Sequence, residues 1–433
     1  MLIPARMGAA ISGSASSLRL DANAVAAYFN ADGTPKQAGD TITNVPYADT
    51  LKALAAQGAD ALHTGAIAQA IVAKVGQSVG DDTAATPITP GLMTLADLAG
   101  YKPKKRDPAC TTYRSTYYIC SMAPPSSGGI AITQALGILE NFPLSFYPPT
   151  DPSNEGGVPS VMGVHLVSEA SRLAYADRDK YVADTDYIPL PGSGLATMLD
   201  KNYLKSRAAL IDLTRSMGTA QAGNLGDVPL GRDTSVEAGT THFSIVDAYG
   251  NVASVTSTVE SSMGSFHMTN GFLLTNQLTD FSAQPADSAG PIANRVAPGK
   301  RPRSTMAPTL VFRGAEPGDF VMATGSPGGG TIIQYVLKTV VGALDWGLDA
   351  QQATSMVDFG AANSATTNVD GANTTLDTSA LVSGLRAMGH TVNTGAQSSG
   401  ISTVMRVQKD GKWVLQGGVD PRREGIVLGD GAL

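Results

Sequence analysis

The sequence has no apolar run of about 18 residues, the length that crosses a bilayer, and no cluster of Lys and Arg with interleaved aromatic residues. Only 15% of its 433 residues are charged, the formal net charge is −7 and the pI is near 5.2. We therefore expect neither a membrane span nor nucleic-acid binding. The first ten residues include a Pro and an Arg and no continuous apolar stretch, so they are not typical of a secretory signal.

The standard catalytic and metal-binding motifs are also missing. The sequence has no G-x-S-x-G elbow, no H-E-x-x-H pair and no cysteine-rich metal spacing, and its five histidines are scattered. The glycine-rich stretch 325–331 lacks the G-K-[ST] ending of a phosphate loop. We expect no metal and no cofactor.

Cysteine is rare, with Cys110 and Cys120 as the only two. Strand-forming residues lie on both sides of Arg114 and Ser115, so the two cysteines would face one another across a short hairpin. A disulfide is the expected pairing and would indicate an oxidising compartment. Two buried free thiols are the alternative.

Apolar residues make up 42% of the chain, enough for a globular core. Helical periodicity is strongest before residue 240, at 16–30, 50–75 and 161–184, and strand patterns dominate after it, which favours helix layers packed on sheets. In the helix at 161–184, Asp177, Arg178 and Asp179 are predicted to form a solvated face. Residues 214–239 are polar and glycine-rich, and we expect an exposed connector.

The segment 240–258 has the pattern of a β-hairpin. β-Forming residues, Phe243 and Ile245 among them, flank a turn at 247–251. A hairpin does not account for its beginning, where Gly239 is followed by Thr240, a second Thr and a His. This junction is the predicted site of the chemistry.

A threonine hydroxyl is a weak nucleophile until a base lies beside it, and cleavage of the chain before Thr240 would supply one in the residue's own α-amine. That amine titrates near pH 7.7–8.0, so a usable fraction is neutral at physiological pH. β-Branching restricts the hydroxyl to few rotamers, and Gly239 lets the scissile bond adopt conformations open to attack. A simple strand entry is the alternative interpretation of Gly239-Thr240.

Motifs along nearly the whole chain resemble the γ-glutamyltranspeptidase family. In chain order they are Pro124 to Gly129, Ala174 to Asp179, Thr240 to Ser244, Asp247 with Gly250-Asn251, Gly271 to Ser282, Arg301 to Thr309, Gly325 to Gly329 and Gly418 to Gly425. The resemblance implies an α+β fold, a four-layer αββα sandwich of the N-terminal-nucleophile hydrolase type. It also implies a precursor that cleaves itself into a large-subunit portion, 1–239, and a small-subunit portion, 240–433, of one intertwined domain.

The resemblance implies a role for each matched position. Thr240 is the expected nucleophile, with Thr258 bonded to its hydroxyl, and Gly328 and Gly329 are the expected oxyanion-hole glycines. The positions implied to hold the substrate are Glu260, Gln277 and Asp280 at its α-amino group, and Ser304 and Thr305 at its α-carboxylate.

The implied substrate is a γ-glutamyl donor such as glutathione, with water or an amino acid or peptide as acceptor. The implied intermediate is a γ-glutamyl ester of Thr240. By the same resemblance the protein is expected to be periplasmic or secreted.

Four departures from the family pattern leave alternatives open. Glu260 and Thr305 replace the more usual Asn and Ser, and the loop between Asp280 and Ser304 is shortened and lacks a Tyr. By the same comparison with the family pattern, we expect the chain to begin inside the large subunit, without the family's opening segment and its carboxylate-binding Arg. A glutaryl or cephalosporin acylase of the same superfamily is the first alternative, and an inactive, unprocessed fragment is the second.

Overall fold

The computed structural model describes residues 1–77, 89–226, 228, 230–233 and 239–429. These form two compact units, one of residues 1–106 and 258–277 and the other of residues 107–257 and 278–433. Both predicted portions, 1–239 and 240–433, contribute residues to each unit. The cleavage between Gly239 and Thr240 and the single intertwined domain stay predictions.

Helices account for most of the first unit. The α-helices of the described residues are α1 (Ala5–Gly13), α2 (Ala15–Leu18), α3 (Ala22–Tyr28), α4 (Val45–Gln57), α5 (Asp60–His63), α6 (Gly65–Val75), α7 (Leu95–Gly100), α8 (Gly128–Leu139), α9 (Val161–Tyr181), α10 (Leu195–Met198), α11 (Lys201–Ala208), α12 (Ile332–Leu344), α13 (Ala350–Ser355) and α14 (Ser379–Ala387). Helices α1 to α7 belong to the first unit. No described helix is both long enough and apolar enough to cross a membrane.

Strands belong mainly to the second unit. They are β1 (Ala109–Tyr113), β2 (Tyr117–Ser121), β3 (Thr241–Val246), β4 (Val252–Ser257), β5 (Met268–Thr269), β6 (Phe272–Leu273), β7 (Ala286–Asp287), β8 (Gly290–Pro291), β9 (Thr309–Arg313), β10 (Asp319–Gly325), β11 (Phe359–Gly360), β12 (Thr366–Val369), β13 (Thr391–Asn393), β14 (Ser402–Lys409) and β15 (Lys412–Val419). Only β5 and β6 lie in the first unit.

A six-stranded antiparallel sheet organises the second unit, in the order β1-β2-β9-β10-β14-β15. Its first two strands are a hairpin in which Cys110 lies opposite Cys120, and the two cysteines form a disulfide, as predicted. The hairpin turns at Arg114 and Ser115, which both have positive φ.

The largest hydrophobic core lies between this sheet and helices α8, α9 and α12. Ile119, Val311 and Met322 of the sheet pack there with Leu136 of α8 and Val336 of α12, all essentially without solvent exposure. Helix α9 is buried along nearly its whole length. A helix layer on a sheet is therefore the framework of the second unit, and the α+β class is confirmed.

The β3–β4 hairpin lies on the other face of the sheet. Thr324 of β10 bonds to Thr403 of β14, which bonds to Thr354 of helix α13, so this face carries helices. The next residue along β10 is Gly325, where an added Cβ would collide with the ring of His242 on β3. Since neighbouring residues of a strand point to opposite faces, the helices and the hairpin sandwich the sheet.

The hairpin turns its polar residues inward. His242, Ser244, Ser254 and Thr256 face the sheet, while Phe243, Ile245 and Val255 are exposed on the opposite side. Phe243 and Val255 form a cross-strand pair there. An ordinary surface hairpin buries its apolar face and exposes its polar face, and this hairpin does the reverse.

The prediction that Asp177, Arg178 and Asp179 form a solvated face of α9 is wrong. All three are buried. Asp177 pairs with Arg207, and Asp179 lies 3.0 Å from Arg178. The apolar period of the helix was visible in the sequence, but the distant partners of its charged side were not.

Two histidines that are far apart in the sequence meet in the core. His165 Nδ1 lies 2.8 Å from His390 Nε2, and both rings are buried. With Glu169 they are close enough together to ligate a metal ion. Each ring nitrogen already has a protein partner, as Asp212 O and Thr367 Oγ1 take the other two. The hydrogen bonds account for the cluster without an ion.

The predicted connector 214–239 is only partly described, because residues 227, 229 and 234–238 lie outside the described residues. Its described part mixes exposed positions with buried ones such as Ala220, Gly223 and Asp233. Polar composition predicted exposure, but several of these residues are enclosed by contacts with distant parts of the second unit.

Candidate active site

At the junction before β3, the hydroxyl of Thr240 lies on the peptide bond between Gly239 and Thr240. Thr240 Oγ1 donates a hydrogen bond to the carbonyl oxygen of Gly239. Gly239 has φ 41°, in the left-handed region that glycine adopts at little cost. The hydroxyl is therefore adjacent to the carbonyl group of the predicted scissile bond.

Arg423 holds the next carbonyl group of this junction. Its Nη1 donates to Thr240 O at 3.1 Å, and its Nη2 donates to Ser398 O at 2.7 Å. Its Nε lies 3.2 Å from both Ser398 O and Ser399 O. The planar guanidinium thereby connects the start of β3 to the segment before β14.

A buried ion network fixes the turn from which Arg423 extends. Arg422 Nε lies 3.3 Å from Asp358 Oδ2 and 3.0 Å from Asp370 Oδ2, and its Nη1 lies 3.1 Å from Asp420 Oδ1. These side chains are almost without solvent exposure. A buried charge needs such partners, so the position of the turn is strongly determined.

His242 brings the same junction to the glycine-rich loop after β10. Its ring packs on Gly325, its Nδ1 lies 2.8 Å from Thr256 Oγ1, and its Nε2 lies 3.2 Å from Ser244 Oγ. Burial lowers the pKa of His242 to about 4. The imidazole is thus neutral at physiological pH and serves as a packing and hydrogen-bonding group.

The two candidate oxyanion-hole glycines both need conformations that other residues avoid. Gly328 has φ 145° and Gly329 has φ 57°. A Cβ on Gly328 would lie 2.5 Å from the Tyr335 ring. The loop is tied by Thr331 Oγ1, which donates to Gly328 O at 2.7 Å, and by Tyr175 OH, which donates to Gly330 O at 2.6 Å.

Ser304 and Thr305 lie beside this loop and against the start of α8. Thr305 Oγ1 donates to Gly329 O at 2.7 Å. Ser304 O accepts hydrogen bonds from the backbone N and the Oγ of Ser127, both at 2.7 Å. Gly128 has no room for a side chain, since its Cβ would lie 2.6 Å from Thr305 O. The Pro124 to Gly129 motif therefore serves to hold the two hydroxyl residues.

Asp280 is the remaining candidate in the second unit. It ends the short 3-10 helix Gln277–Asp280 and is 3% exposed. Its carbonyl oxygen accepts a 2.7 Å hydrogen bond from Asn294 Nδ2. The second unit thus contains Thr240, Asp280, Ser304, Thr305, Gly328 and Gly329.

Thr258, Glu260 and Gln277 belong to the first unit. Thr258 Oγ1 accepts a 2.7 Å hydrogen bond from the backbone N of Glu260. Glu260 is buried and has φ 73°, which is rare for a residue with a side chain. Gln277 begins the 3-10 helix, with its backbone N on Thr275 Oγ1 at 3.0 Å. The roles implied for these three residues remain predictions.

The sequence matches a known family along nearly its whole length. A family model described as Gamma-glutamyltranspeptidase matches residues 1–430. The chain belongs to the γ-glutamyltranspeptidase family. Membership rests on the whole chain and not on the threonine junction alone.

Relatives within and around the γ-glutamyltranspeptidase family include hydrolases and acylases. The chain is 37% identical over 341 residues to the glutathione hydrolase proenzyme of Escherichia coli (strain K12), a match that covers 77% of this chain and 53% of the relative. It is 32% identical over 331 residues to the Acylase ACY 1 proenzyme of Pseudomonas sp. (strain SE83), covering 76% and 52%. The chain thus spans about half the length of these curated relatives.

A solved structure, the cephalosporin acylase from Bacillus halodurans, has a TM-score of 0.78 at 20% identity and covers 99% of this chain and 71% of its own. The likeness is one of fold, and it agrees with the α+β class of this chain.

Three residues of the site were not predicted as functional. Arg423 lies within the C-terminal motif that supported the γ-glutamyltranspeptidase resemblance, so the sequence signalled the segment but not the contact with Thr240. Asp233 and Asn294 are buried beside Asp280. Nothing in their sequence surroundings indicates that they meet.

Proposed function

We propose that the protein is a γ-glutamyltransferase and glutathione hydrolase that activates itself by cleavage before Thr240. The observation that carries the proposal is the hydroxyl of Thr240 on the carbonyl group of Gly239, in a chain of the γ-glutamyltranspeptidase family. The proenzyme names of its relatives support a precursor. The large-subunit portion 1–239 and the small-subunit portion 240–433 would then be partners in one enzyme.

Self-cleavage would proceed through an ester. Thr240 Oγ1 attacks the carbonyl carbon of Gly239, the C–N bond between the two residues breaks, and the nitrogen takes up a proton as the α-amine of Thr240. Water then hydrolyses the Gly239 ester, which leaves a carboxylate on Gly239 and restores the hydroxyl. Arg423 supports this step, since it holds Thr240 O in place while the bond on the other side of the residue breaks.

The freed α-amine of Thr240 would then act as base. It removes the hydroxyl proton as Oγ1 attacks the γ-amide of a γ-glutamyl donor, and the resulting oxyanion is placed at the N–H groups of Gly328 and Gly329. The leaving amine takes the proton, and a γ-glutamyl ester of Thr240 remains. Water, or the amine of an amino acid or peptide, resolves that ester. Nucleophile and base both come from Thr240, so this route needs no metal or cofactor.

Substrate recognition would use opposite charges at the two ends of the glutamyl group. Within the second unit, the carboxylate of Asp280 suits an α-ammonium, and the hydroxyls of Ser304 and Thr305 suit an α-carboxylate. The roles implied for Glu260 and Gln277 stay predictions. Burial of Asp280 strengthens such pairing, because a buried carboxylate gains more from a cation than an exposed one.

The Cys110–Cys120 disulfide supports a periplasmic or secreted location.

A glutaryl or cephalosporin acylase is the second candidate. The relative named Acylase ACY 1 and the departures at Glu260 and Thr305 favour it. A glutaryl group has no α-ammonium, so Asp280 would lose its partner. Replacing Asp280 with Asn should therefore impair hydrolysis of γ-glutamyl-p-nitroanilide and spare that of glutaryl-p-nitroanilide in a γ-glutamyl enzyme. Equal losses on both substrates would contradict the proposed role of Asp280.

Denaturing mass spectrometry tests the proposal directly. The purified chain is incubated at neutral pH beside a Thr240→Ala control. We expect two fragments that meet at Gly239 and Thr240, absent from the control, followed by γ-glutamyl transfer in the cleaved sample. An intact chain in both samples would support the third possibility, an unprocessed and inactive protein, and would overturn the proposed activation.

A further inference from the structure

Asp233 lies a short distance upstream of Gly239 and is almost completely buried. Its Oδ2 contacts Arg303 Nη2 at 3.0 Å and accepts a 2.7 Å hydrogen bond from Asn294 Nδ2. Its backbone N donates to Asp179 O at 2.9 Å. One carboxylate is therefore fixed by a buried cation, a buried amide and the backbone of α9.

Asn294 links Asp233 to Asp280 of the candidate substrate site. Its Nδ2 also donates to Asp280 O at 2.7 Å, and its Oδ1 accepts from the backbone N of Arg303 at 2.9 Å. Its own carbonyl oxygen accepts from Ser282 N at 3.0 Å. The amide is wholly buried, so the carboxylate of Asp233 is linked to the backbone of Asp280 by a single side chain.

The proposed cleavage divides this cluster between the two portions of the protein. Asp233 lies before Thr240, whereas Asp280, Asn294 and Arg303 lie after it. Arg303 is 1% exposed, and a buried guanidinium is costly without its carboxylate. The electrostatics therefore favour retention of Asp233 in the cluster after the chain is cut.

We propose that Asp233 is a positioning residue: it stays bound to the small-subunit portion after cleavage and, through Asn294, sets the position of Asp280 for the substrate's α-ammonium. The inference rests on the proposed function, because it takes the cleavage site and the role of Asp280 from it. It assigns to the large-subunit portion a residue that tunes substrate binding without touching the substrate.

The variants are Asp233→Ala, which removes the carboxylate, and Asp233→Asn, which keeps one acceptor oxygen and is the milder change. Asp287→Asn is the matched control. Asp287 Oδ2 accepts a 2.9 Å hydrogen bond from the backbone N of Arg232, next to Asp233. Its side chain is exposed, and its Oδ1 accepts from the backbone N of Ala289 and not from Asn294.

In the cleaved enzyme, Asp233→Ala should raise KM for a γ-glutamyl donor about tenfold or more and change kcat less than about threefold. Asp233→Asn should lie between it and the parent, and Asp287→Asn should match the parent. A merely structural role would lower the active fraction, and with it kcat, at unchanged KM. That outcome would overturn the positioning role.

Hydrogen exchange in the Thr240→Ala background tests the anchor without requiring cleavage. The amides of Ser282 and Arg303, which donate to Asn294, should exchange about tenfold faster with Asp233→Ala and at an unchanged rate with Asp287→Asn. Equal exchange in all three proteins would overturn the anchor itself. A parent chain that fails to cleave although its exchange responds to Asp233→Ala would instead overturn the proposed function and the substrate role that rests on it.

Discussion

The carbonyl oxygens of Thr240, Ser398 and Ser399 share one guanidinium, that of Arg423. A fork of fixed geometry suits three acceptors better than a flexible ammonium does. The contact ties the candidate nucleophile to the segment whose Gly400 N donates to Ser326 Oγ at 3.2 Å. Thr240 and the glycine loop after β10 are thus positioned through the same residue.

Replacing Arg423 with Gln should slow self-cleavage about tenfold, because a charge-assisted hydrogen bond to Thr240 O contributes roughly 1.5–3 kcal/mol. The measurement is a time course of fragment formation on a denaturing gel. Arg406→Gln is the control, since its guanidinium pairs with Asp319 and contacts Trp413 at the surface. Equal cleavage rates in the Arg423 variant and the parent would contradict the role of this contact.

His242 should make the fold sensitive to acid. Burial lowers its pKa to about 4, so the unfolded chain, with a histidine pKa near 6.5, binds the proton more tightly than the folded protein. The resulting loss of unfolding free energy is absent above about pH 7 and grows as the pH falls from about 6.5 towards about 4. At about pH 5 it amounts to about 2 kcal/mol of unfolding free energy.

Urea unfolding of the Thr240→Ala chain at about pH 7.5 and about pH 5 measures this effect. His242→Asn in the same background should lose about 2 kcal/mol less over that interval. Other buried histidines, such as His165 and His390, also have lowered pKa values, so the comparison with the variant isolates the contribution of His242. Parallel losses in both proteins would refute the assignment.

Among the elements, the β3–β4 hairpin was predicted from alternation and turn residues alone. Alternation cannot tell which face is buried, and here the polar face packs on the sheet while Phe243 is 45% and Ile245 is 53% exposed. Neither hairpin edge pairs with another strand within the part of the chain that the structure describes. Exposed apolar faces with open edges favour association.

Replacing Phe243 with Thr should therefore reduce dye binding and self-association without unfolding the protein, since Thr keeps a high strand propensity. Fluorescence of 1-anilinonaphthalene-8-sulfonate and light scattering measure the two effects. Tyr249→Thr is the control, as Tyr249 is an exposed aromatic residue of the same hairpin but lies in the turn, outside the two strands. If the Phe243 variant binds as much dye and self-associates as much as the parent, the surface responsible lies elsewhere.

Helix α9 marks the limit of what sequence patterns predict. Its existence and length followed from its apolar period, but a period describes one face only. The opposite face is buried by partners from later segments, as in the pairing of Asp177 with Arg207 and the 3.8 Å approach of Arg232 to Asp179. Long-range charge pairing leaves no local trace, and Asp233 and Asn294 escaped prediction for the same reason.

At the scale of the whole molecule, the two predicted portions are interleaved. In the six-stranded sheet, β1 and β2 come from residues before Thr240, and β9, β10, β14 and β15 come from residues after it. The main core likewise joins α8 and α9 to α12. Family motifs predicted the fold class, and the cysteine spacing predicted the disulfide, whereas the division into two units had no signal in the sequence.

Cleavage at Gly239-Thr240 should consequently leave the two fragments associated. They should elute together near 44.4 kDa, the mass of the intact chain, in size exclusion with light scattering, and separate only under denaturing conditions. Reduction should not release them, because Cys110 and Cys120 both precede Thr240. Two native peaks after cleavage would contradict a sheet and core shared between the portions.

The hydrogen bonds that pass through the paired core histidines, His165 and His390, all run in one direction. Asp212 O can only accept, so His165 Nε2 carries the hydrogen and its Nδ1 must accept from His390 Nε2, whose own Nδ1 accepts from Thr367. Every link in the string points the same way, and each imidazole is confined to a single tautomer. An extra proton would place two donors opposite each other, and one hydrogen bond would be lost. The ¹⁵N chemical shifts of the two rings should report that loss before the protein unfolds.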